Sequence, residues 1–115
     1  MKRGNLVIID FRRVNQAFGV RPALILQNDK DNARMRNTIV AQVTTNIRRA
    51  NEATQYLIDS THVDWPASGL HKPSVVNCSN IYTVQQNDVA KVIGLLSEAT
   101  MQEIHDCLKA VFDMA

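Results

Sequence analysis

Cysteine, histidine and long apolar runs are all scarce in this chain of 115 residues, and each scarcity excludes a class of protein. The two cysteines, Cys78 and Cys107, form neither a disulfide framework nor a zinc-ligand spacing, so we expect two buried thiols in a reducing compartment. The three histidines are far apart and show no helical HxxxH spacing. They support neither a metal site nor a catalytic histidine pair, and we expect His62, His71 and His105 at the surface.

A strong excess of one charge and a membrane-length segment are also missing. The net charge is only +2, from 13 basic and 11 acidic residues, so composition alone does not indicate a nucleic-acid-binding protein. The first apolar run is too short, and too closely followed by Arg12-Arg13, to be a signal peptide. We expect a cytoplasmic protein without membrane association. Without a linker, a repeat or a low-complexity tract, the length predicts a single domain over residues 1–115.

Six short runs rich in Val, Ile, Leu and Thr are present, each bounded by polar residues, Gly or Pro, which is the usual signal for β-strands. They cover residues 6–11, 23–27, 38–43, 54–58, 75–81 and 90–95. Three segments, 28–37, 46–53 and 64–73, lack apolar periodicity or contain Pro and Gly, and they predict loops. Short strands joined by loops predict a small, strongly curved antiparallel sheet or barrel.

From Ser97 onward the apolar spacing changes from two residues to three and four, which predicts an amphipathic helix. Ser97 is a suitable N-cap for it. The residues that share one helical face are Met101, Ile104, Cys107, Leu108 and Val111. The sequence therefore predicts a mainly β protein with a C-terminal α-helix, a β+α fold class.

Arg21 and Thr44 are the residues that suggest chemistry. Arg21-Pro22 stands directly before one apolar run, and Thr44 ends the next one. The arginine guanidinium stays charged and can donate several hydrogen bonds to a phosphate. The branched threonine side chain has few rotamers, so its hydroxyl is held ready to donate to a phosphoryl oxygen. This combination points toward phosphodiester chemistry. On the residues alone, a surface ion pair for Arg21 and a simple β-forming role for Thr44 stay open.

Several segments, in the same order and at similar intervals, resemble the MazF/PemK toxin family over nearly the whole chain. They are Met1-Lys2-Arg3-Gly4, Gly19-Val20-Arg21-Pro22-Ala23-Leu24-Ile25-Leu26-Gln27-Asn28-Asp29, Val43-Thr44, Ser74-Val75-Val76, Ile81-Tyr82-Thr83 and Lys91-Val92-Ile93-Gly94-Leu95-Leu96-Ser97-Glu98. The resemblance implies an SH3-like small barrel of the MazF/PemK/CcdB type with a C-terminal α-helix, in a homodimer. It also implies a cognate antitoxin with an acidic, disordered segment that competes for the RNA groove.

The function that the resemblance implies is that of the toxin in a type II toxin-antitoxin system. Such a toxin is a sequence-specific, metal-independent endoribonuclease (an mRNA interferase) that cleaves single-stranded RNA without a cofactor. Attack by the 2'-hydroxyl would leave a 3'-phosphate or 2',3'-cyclic phosphate and a 5'-hydroxyl. The resemblance assigns Arg21 and Thr44 as the catalytic pair. Because the arginine pKa exceeds about 12, Arg21 suits a phosphate clamp or proton donor better than a base, and the general base is unassigned.

Six further residues are candidates for substrate binding, each beside a structural alternative. They are Arg12, Arg13, Phe18, Ser74, Ser79 and Asn80. The arginines would line a groove or be solvated, Phe18 would stack on bases or pack in the core, and Ser74 would bind a phosphate or end a turn. Ser79 and Asn80 occupy positions that contact bases in the family, where a carboxylate and a longer amide are usual.

Two departures leave other functions open. The segment 11–19 is shorter than usual in the family, and the changes at Ser79 and Asn80 affect the recognised RNA sequence more than the cleavage chemistry. One alternative is a non-catalytic toxin on the same fold, like the CcdB-type gyrase poisons, although the final residues 111–115 do not match their Trp-Gly-Ile tail. The other alternative is an inactive homologue that binds RNA without cutting it.

Overall fold

A computed structural model describes all residues 1–115 and contains six strands, three α-helices and one 3-10 turn. The strands are β1 (Asn5–Asp10), β2 (Val20–Ile25), β3 (Asn37–Thr44), β4 (Gln55–Ile58), β5 (Ser74–Gln85) and β6 (Val89–Leu95). The helices are α1 (Asp29–Arg34), α2 (Trp65–Ser68) and α3 (Glu98–Val111), and the 3-10 turn is Gln86–Asp88. The predicted β+α fold class is confirmed. None of the three helices has the length and apolar character needed to cross a membrane.

The six strands form one antiparallel sheet in the order β4-β5-β3-β2-β1-β6. Each face of the sheet carries one buried apolar cluster, and successive residues of a strand contribute to opposite clusters. On β1, for example, Leu6 belongs to one apolar cluster and Val7 to the other. The strands therefore carry near-continuous apolar runs, which is why they were recognisable in the sequence.

Helix α3 covers the first face. Met101, Ile104 and Cys107 pack there against Leu6, Leu24 and other strand residues of the larger apolar cluster. The helix begins as predicted, since the Ser97 side chain accepts a hydrogen bond from the Thr100 amide. Both cysteines are buried in this cluster, as expected, and burial raises the pKa of Cys78 to about 12.

The second face is covered by the sheet itself. Its cluster of seven buried residues comes only from β1, the residue after it, β2, β3 and β5, so the sheet must curve to enclose it. Three aromatic rings close one end of this cluster, with edge-on contacts between Phe11, Phe18 and Tyr82 at centroid distances of 5.6 to 6.4 Å. This end of the apolar cluster lies beside Arg21.

Three local predictions were wrong or incomplete. Segment 28–37 is not all loop: α1 forms there without apolar periodicity because Asn28 caps it, accepting from the Asp31 amide at 2.8 Å. Segment 64–73 contains the single turn α2, which ends at Gly69 with φ +71°; an added Cβ at Gly69 would collide with the Ile93 carbonyl of β6. Strand β2 begins at Val20, before the predicted start at residue 23, and therefore includes Arg21. Segment 46–53 has no helix or strand, as predicted.

Strand β5 is longer than predicted, because residues 82–85 continue its pairing with β3, and a bulge bends it. Its pairing with β3 jumps from Ala41 opposite Ile81 to Gln42 opposite Asn77, which leaves three extra residues on β5. Residues 78–80 form this bulge, with the Cys78 side chain buried and Ser79 exposed. Bulges of this kind redirect side chains, and here the bulge borders the polar end of the sheet.

Candidate functional site

A row of polar side chains crosses one face of the sheet where apolar side chains would be expected. Gln42 on β3 lies opposite Ala23 on β2 and opposite Asn77 on β5, and Asn77 in turn lies opposite Gln55 on β4. Residues directly opposite in antiparallel strands point to the same face. This is the face that carries Ala23 and Val40 in the second apolar cluster, so the same surface is apolar at one end and polar at the other.

Arg21 and Thr44 come to this face from neighbouring strands. The register Ala23 opposite Gln42, continued by two residues on each strand, brings Arg21 opposite Thr44. The recorded β2–β3 pairing itself ends at Ala23, next to Pro22, which has no backbone N–H to donate. The two residues therefore share one face at the end of the paired strands, although they are far apart in the sequence.

The Arg21 side chain is held at one end and free at the other. Its Nε donates to the Phe18 carbonyl at 2.8 Å, and no carboxylate lies within ion-pair distance. Its two terminal nitrogens are left to bind an external anion. Arg21 lines a small depression together with the three aromatic rings and Gln42, and Gln42 also borders the groove that contains Thr44.

Thr44 is ordered by the turn that follows β3. Its Oγ1 accepts from the Asn46 amide at 3.1 Å, and Asn46 Oδ1 accepts from the Arg48 amide at 3.2 Å. Because the hydroxyl oxygen acts as the acceptor, its hydrogen is free to be donated to a ligand. The turn thus fixes the Thr44 hydroxyl and brings Arg48 to the same groove.

The groove has a volume of about 230 Å³, and no carboxylate lines it. Its lining residues are Gln42, Thr44, Asn46, Arg48, Arg49, Gln55 and Asn77. Arg49 is paired with Glu52 at 2.9 Å, whereas Arg48 has no carboxylate partner. Hydrogen-bond donors and one unpaired cation, Arg48, make the groove suitable for a phosphodiester backbone.

Arg12 and Arg13 lie outside this groove and are both paired with carboxylates. Arg12 binds Asp10 through two nitrogens at 2.6 to 3.1 Å, and Arg13 binds Asp88 at 2.9 Å. The hydrogen bonds from Arg12 lower the pKa of Asp10 to about 2. Both arginines are exposed, and exposed pairs of this kind exchange partners readily.

The other four candidates for substrate binding fall into two groups. Ser79 and Asn80 lie in the β5 bulge, and Asn80 Nδ2 donates to Gln42 Oε1 at 2.8 Å, which joins Asn80 to the polar row. Phe18 packs edge-on in the aromatic group, and Ser74 is buried with its hydroxyl donating to the Lys72 carbonyl at 2.8 Å.

One histidine differs from expectation. His71 and His105 are exposed, but His62 is half-buried. Its Nδ1 accepts from the Asp64 amide at 2.9 Å, and its Nε2 lies 2.7 Å from the Tyr56 hydroxyl, which also hydrogen-bonds to Glu103. No three side chains of His, Cys, Asp or Glu lie close enough together to hold a metal ion.

Sequence reasoning missed Gln42, Gln55 and Asn77, the three amides of the polar row. The sequence did contain a signal for two of them. Gln42 and Asn77 each interrupt an apolar strand run, and the apolar residues on both sides of each are buried. A polar residue there is either paired in the core or open to a site. Only the pairing of β3, β4 and β5 shows that the three amides adjoin one another.

The curved sheet, the helix α3 that covers one face and the groove that contains arginines but no carboxylate define a class: small β+α proteins with an open polar groove. The comparison with known families makes this more specific. Residues 2–112 match the model of the PemK-like, MazF-like toxins of type II toxin-antitoxin systems. This chain belongs to that family, which confirms the resemblance read from its segments.

Characterised relatives cover most of this chain. It is 31% identical over 94 residues to the endoribonuclease MazF3 of Mycobacterium tuberculosis, covering 82% of this chain and 84% of that protein. It is 29% identical over 110 residues to the endoribonuclease MazF of Staphylococcus saprophyticus, covering 94% and 88% of the two chains. The endoribonuclease EndoA of Bacillus subtilis is 29% identical over 111 residues, covering 95% and 91%.

Solved structures give the same fold. The toxin MazF-mt6 of Mycobacterium tuberculosis superposes with a TM-score of 0.79 at 27% identity, covering 96% of this chain and 98% of that one. An endoribonuclease from a mycobacterial species, solved in complex with its cognate antitoxin, gives a TM-score of 0.78 at 21% identity, covering 100% and 97%. At that identity the second match supports the fold alone.

Proposed function

We propose that this protein is the toxin of a type II toxin-antitoxin pair and acts as a sequence-specific endoribonuclease on single-stranded RNA. The observation that carries the proposal is the shared face of Arg21 and Thr44, each with hydrogen-bonding groups unpaired, beside a groove without carboxylates. Family membership and relatives named as endoribonucleases support the same activity. The whole chain acts as one domain, and its place of action is the cytoplasm.

The proposed reaction uses the 2'-hydroxyl of the RNA as its nucleophile. The 2'-oxygen loses its proton and attacks the adjacent phosphorus, the bond to the 5'-oxygen breaks, and the departing oxygen takes up a proton. The products are a 2',3'-cyclic phosphate, which hydrolyses to a 3'-phosphate, and a 5'-hydroxyl. The dependence on the 2'-hydroxyl makes RNA the substrate and excludes DNA.

Arg21 and Thr44 stabilise the charge that develops on the phosphoryl oxygens. The two free terminal nitrogens of Arg21 grip the scissile phosphate, and Arg21 can also supply the proton to the leaving oxygen. Thr44 donates its hydroxyl hydrogen to a second phosphoryl oxygen, because its oxygen already accepts from Asn46.

The remaining candidates act on the flanking nucleotides. Asn80 and Ser79 in the bulge contact bases next to the groove, and Arg12 and Arg13 contact neighbouring phosphates after exchanging their carboxylate partners. Phe18 presents the aromatic edge beside Arg21 to a base. Ser74 contributes a phosphate contact only if its hydroxyl turns away from the Lys72 carbonyl.

The antitoxin is proposed to bind through an acidic, disordered segment that enters the same groove. Arg21 and Arg48 have no carboxylate of their own, so an acidic chain would satisfy the cations that the RNA phosphates otherwise occupy. A mycobacterial endoribonuclease of the same fold has been solved in complex with its cognate antitoxin, and a MazF of Deinococcus radiodurans has been solved together with MazE.

A homodimer is proposed to form through an apolar groove of about 310 Å³ on the opposite side of the sheet. It is lined by Leu26, Gln27, Ile39, Ile81, Leu108 and Phe112, of which only Gln27 is polar. Phe112 is 62% exposed and Ile39 is 36% exposed, a large apolar area for a free surface. A second copy of the chain would bury it.

The test of the proposed function is cleavage of a long single-stranded RNA in the presence of EDTA, with the 5' ends of the fragments mapped. We expect discrete cuts at a recurring short sequence, and we expect Arg21→Ala to lower the rate by roughly 1000-fold while staying folded, because the phosphate loses its clamp. Arg34→Ala is the matched control, since Arg34 pairs with Asp31 on α1 away from the groove. Intact RNA with folded wild-type protein, or full activity of Arg21→Ala, would contradict the proposal.

A further inference from the structure

Two amides of the polar row, Asn77 and Gln55, are almost completely buried and yet not fully paired. Asn77 is 9% exposed and Gln55 is 6% exposed, and both line the 230 Å³ groove. Asn77 Oδ1 accepts from the Ser79 amide at 3.0 Å and from Gln55 Nε2 at 2.9 Å. Gln55 Nε2 donates a second hydrogen bond to Thr54 Oγ1 at 3.0 Å.

These contacts fix which way each amide faces. A backbone N–H can only donate, so the atom of Asn77 that meets the Ser79 amide must be its carbonyl oxygen. Both hydrogens of Gln55 Nε2 are used, so Gln55 has only its carbonyl oxygen left over. The unpaired groups are therefore the Asn77 NH₂ and the Gln55 Oε1.

Both unpaired groups open into the groove. No fully enclosed side-chain nitrogen or oxygen in the protein lacks a hydrogen-bond partner, so neither group is sealed in the core. Unpaired polar atoms on a nearly buried floor are costly unless a ligand or water satisfies them. The floor thus offers a hydrogen-bond donor beside an acceptor, with the Arg48 and Arg49 side chains exposed around it.

We infer that Asn77 and Gln55 form a base-reading pocket that selects the base at one position of the RNA. Each base carries a hydrogen-bond acceptor next to an N–H donor on its Watson–Crick edge, and the pocket favours the base whose acceptor and donor meet the Asn77 NH₂ and the Gln55 oxygen. Neutral amides on the floor suit a base edge, whereas the exposed arginines suit phosphates. The inference rests on the proposed function, because it needs RNA in this groove.

Asn77→Asp tests the pocket with a minimal change. The carboxylate still accepts from the Ser79 amide and from Gln55, so the bulge keeps its hydrogen bonds, but the groove loses its NH₂ donor and gains an acceptor. Cleavage of a randomised single-stranded RNA pool, with sequencing of the cut ends, gives the base preference at each position. We expect wild-type protein to favour one base at one position by about tenfold, and Asn77→Asp to lose or change that preference, because the donor at that position becomes an acceptor.

Two further variants separate charge and folding from base reading. Asn46→Asp adds the same charge to the groove while its oxygen can still accept from the Arg48 amide; it should slow cleavage at all sites and keep the base preference. Asn77→Ala removes the donor without adding charge, and it should also lose the preference. Thermal melting shows whether each variant folds.

The outcomes are distinguishable from those of the proposed function. Wild-type cutting with the same base preference in Asn77→Asp and Asn77→Ala overturns the pocket alone. Failure of the wild-type protein to cut any RNA overturns the proposed function and the pocket with it. Loss of the preference in both Asn77 variants, but not in Asn46→Asp, supports the pocket.

Discussion

Arg21 and Thr44 share a property that most polar side chains of this protein lack: each is held by one backbone contact and leaves another group free. Arg21 is held through the Phe18 carbonyl and Thr44 through the Asn46 amide. Four other arginines, including Arg12 and Arg49, are instead paired with carboxylates. Fixed but unsatisfied groups are what stabilisation of a transition state requires, since they do not have to reorganise during the reaction.

Thr44→Val keeps the branched shape of the side chain and removes only the hydroxyl. We expect the single-turnover cleavage rate to fall by about 100-fold, because one donor to the phosphoryl oxygen is lost. Thr44→Ser keeps the hydroxyl and should retain most of the activity. Thr45→Val is the control on the exposed neighbouring residue. Wild-type rates for Thr44→Val would remove Thr44 from the proposed catalytic pair.

At the scale of elements, the junction between α2 and α3 depends on one buried carboxylate. Asp64 Oδ2 accepts from both the amide and the hydroxyl of Ser97, each at 2.9 Å, just where α3 begins. Burial raises the pKa of Asp64, but hydrogen bonds from Thr100 and Ser97 outweigh burial and hold the pKa below its ordinary value. The ionised carboxylate therefore stabilises the fold.

Asp64→Asn should lower the free energy of unfolding at pH 7 by about 2 kcal/mol, since hydrogen bonds to a charged group are replaced by neutral ones. A depressed folded-state pKa means that this stabilisation is complete above the unfolded-state pKa of about 3.9 and is lost as the pH falls through the lower folded-state value. Urea unfolding at several pH values checks this.

The difference between wild type and Asp64→Asn should be constant above about pH 5 and should shrink in more acidic solution. Asp106→Asn, on the exposed side of α3, is the control with no such buried contact. A difference that stays unchanged down to pH 2, or one that grows on acidification, would contradict the role given to Asp64.

At the scale of the whole molecule, the two sides of the sheet divide the proposed functions. The polar groove with Thr44 and the depression with Arg21 are on one side, and the apolar groove between β3, β5 and the end of α3 is on the other. Alternation along β3 separates them: Gln42 and Thr44 face the polar side, while exposed Ile39 faces the apolar side. A dimer formed through the apolar side would leave both RNA grooves open.

Phe112→Glu should weaken self-association by more than tenfold, because it inserts a charge into the apolar groove. Analytical ultracentrifugation is the measurement. We expect the wild type at twice the chain mass of 12.9 kDa, and we expect the variant to shift on dilution toward the mass of a single chain. Met114→Glu is the matched control, as Met114 is 64% exposed and does not line the groove. A monomeric wild type, or a variant that dimerises equally well, would contradict the proposed interface.

Some helices and strands could be predicted from the sequence and others could not, and the difference has a physical cause. Helix α3 and strands such as β1 and β3 carry a long apolar pattern, because their buried side chains recur at the period of the element. Helix α1 has only one buried residue, Asn32, so no apolar pattern marks it, and its cap and first-turn acids were the remaining signal. The β5 bulge left no local signal, since it is defined by the register with β3.

The sequence by itself determined the β+α class, the terminal helix, the burial of both cysteines and, through its family segments, the candidates Arg21 and Thr44. These follow from short-range periodicity and from residue types in order along the chain. The tertiary structure alone decided that Arg21 and Thr44 come to the same face of neighbouring strands, and that Gln42, Asn77 and Gln55 form one row with a fixed donor and acceptor. Strand pairing joins residues that are distant in the chain, and its register and bulge are set by packing across the whole sheet.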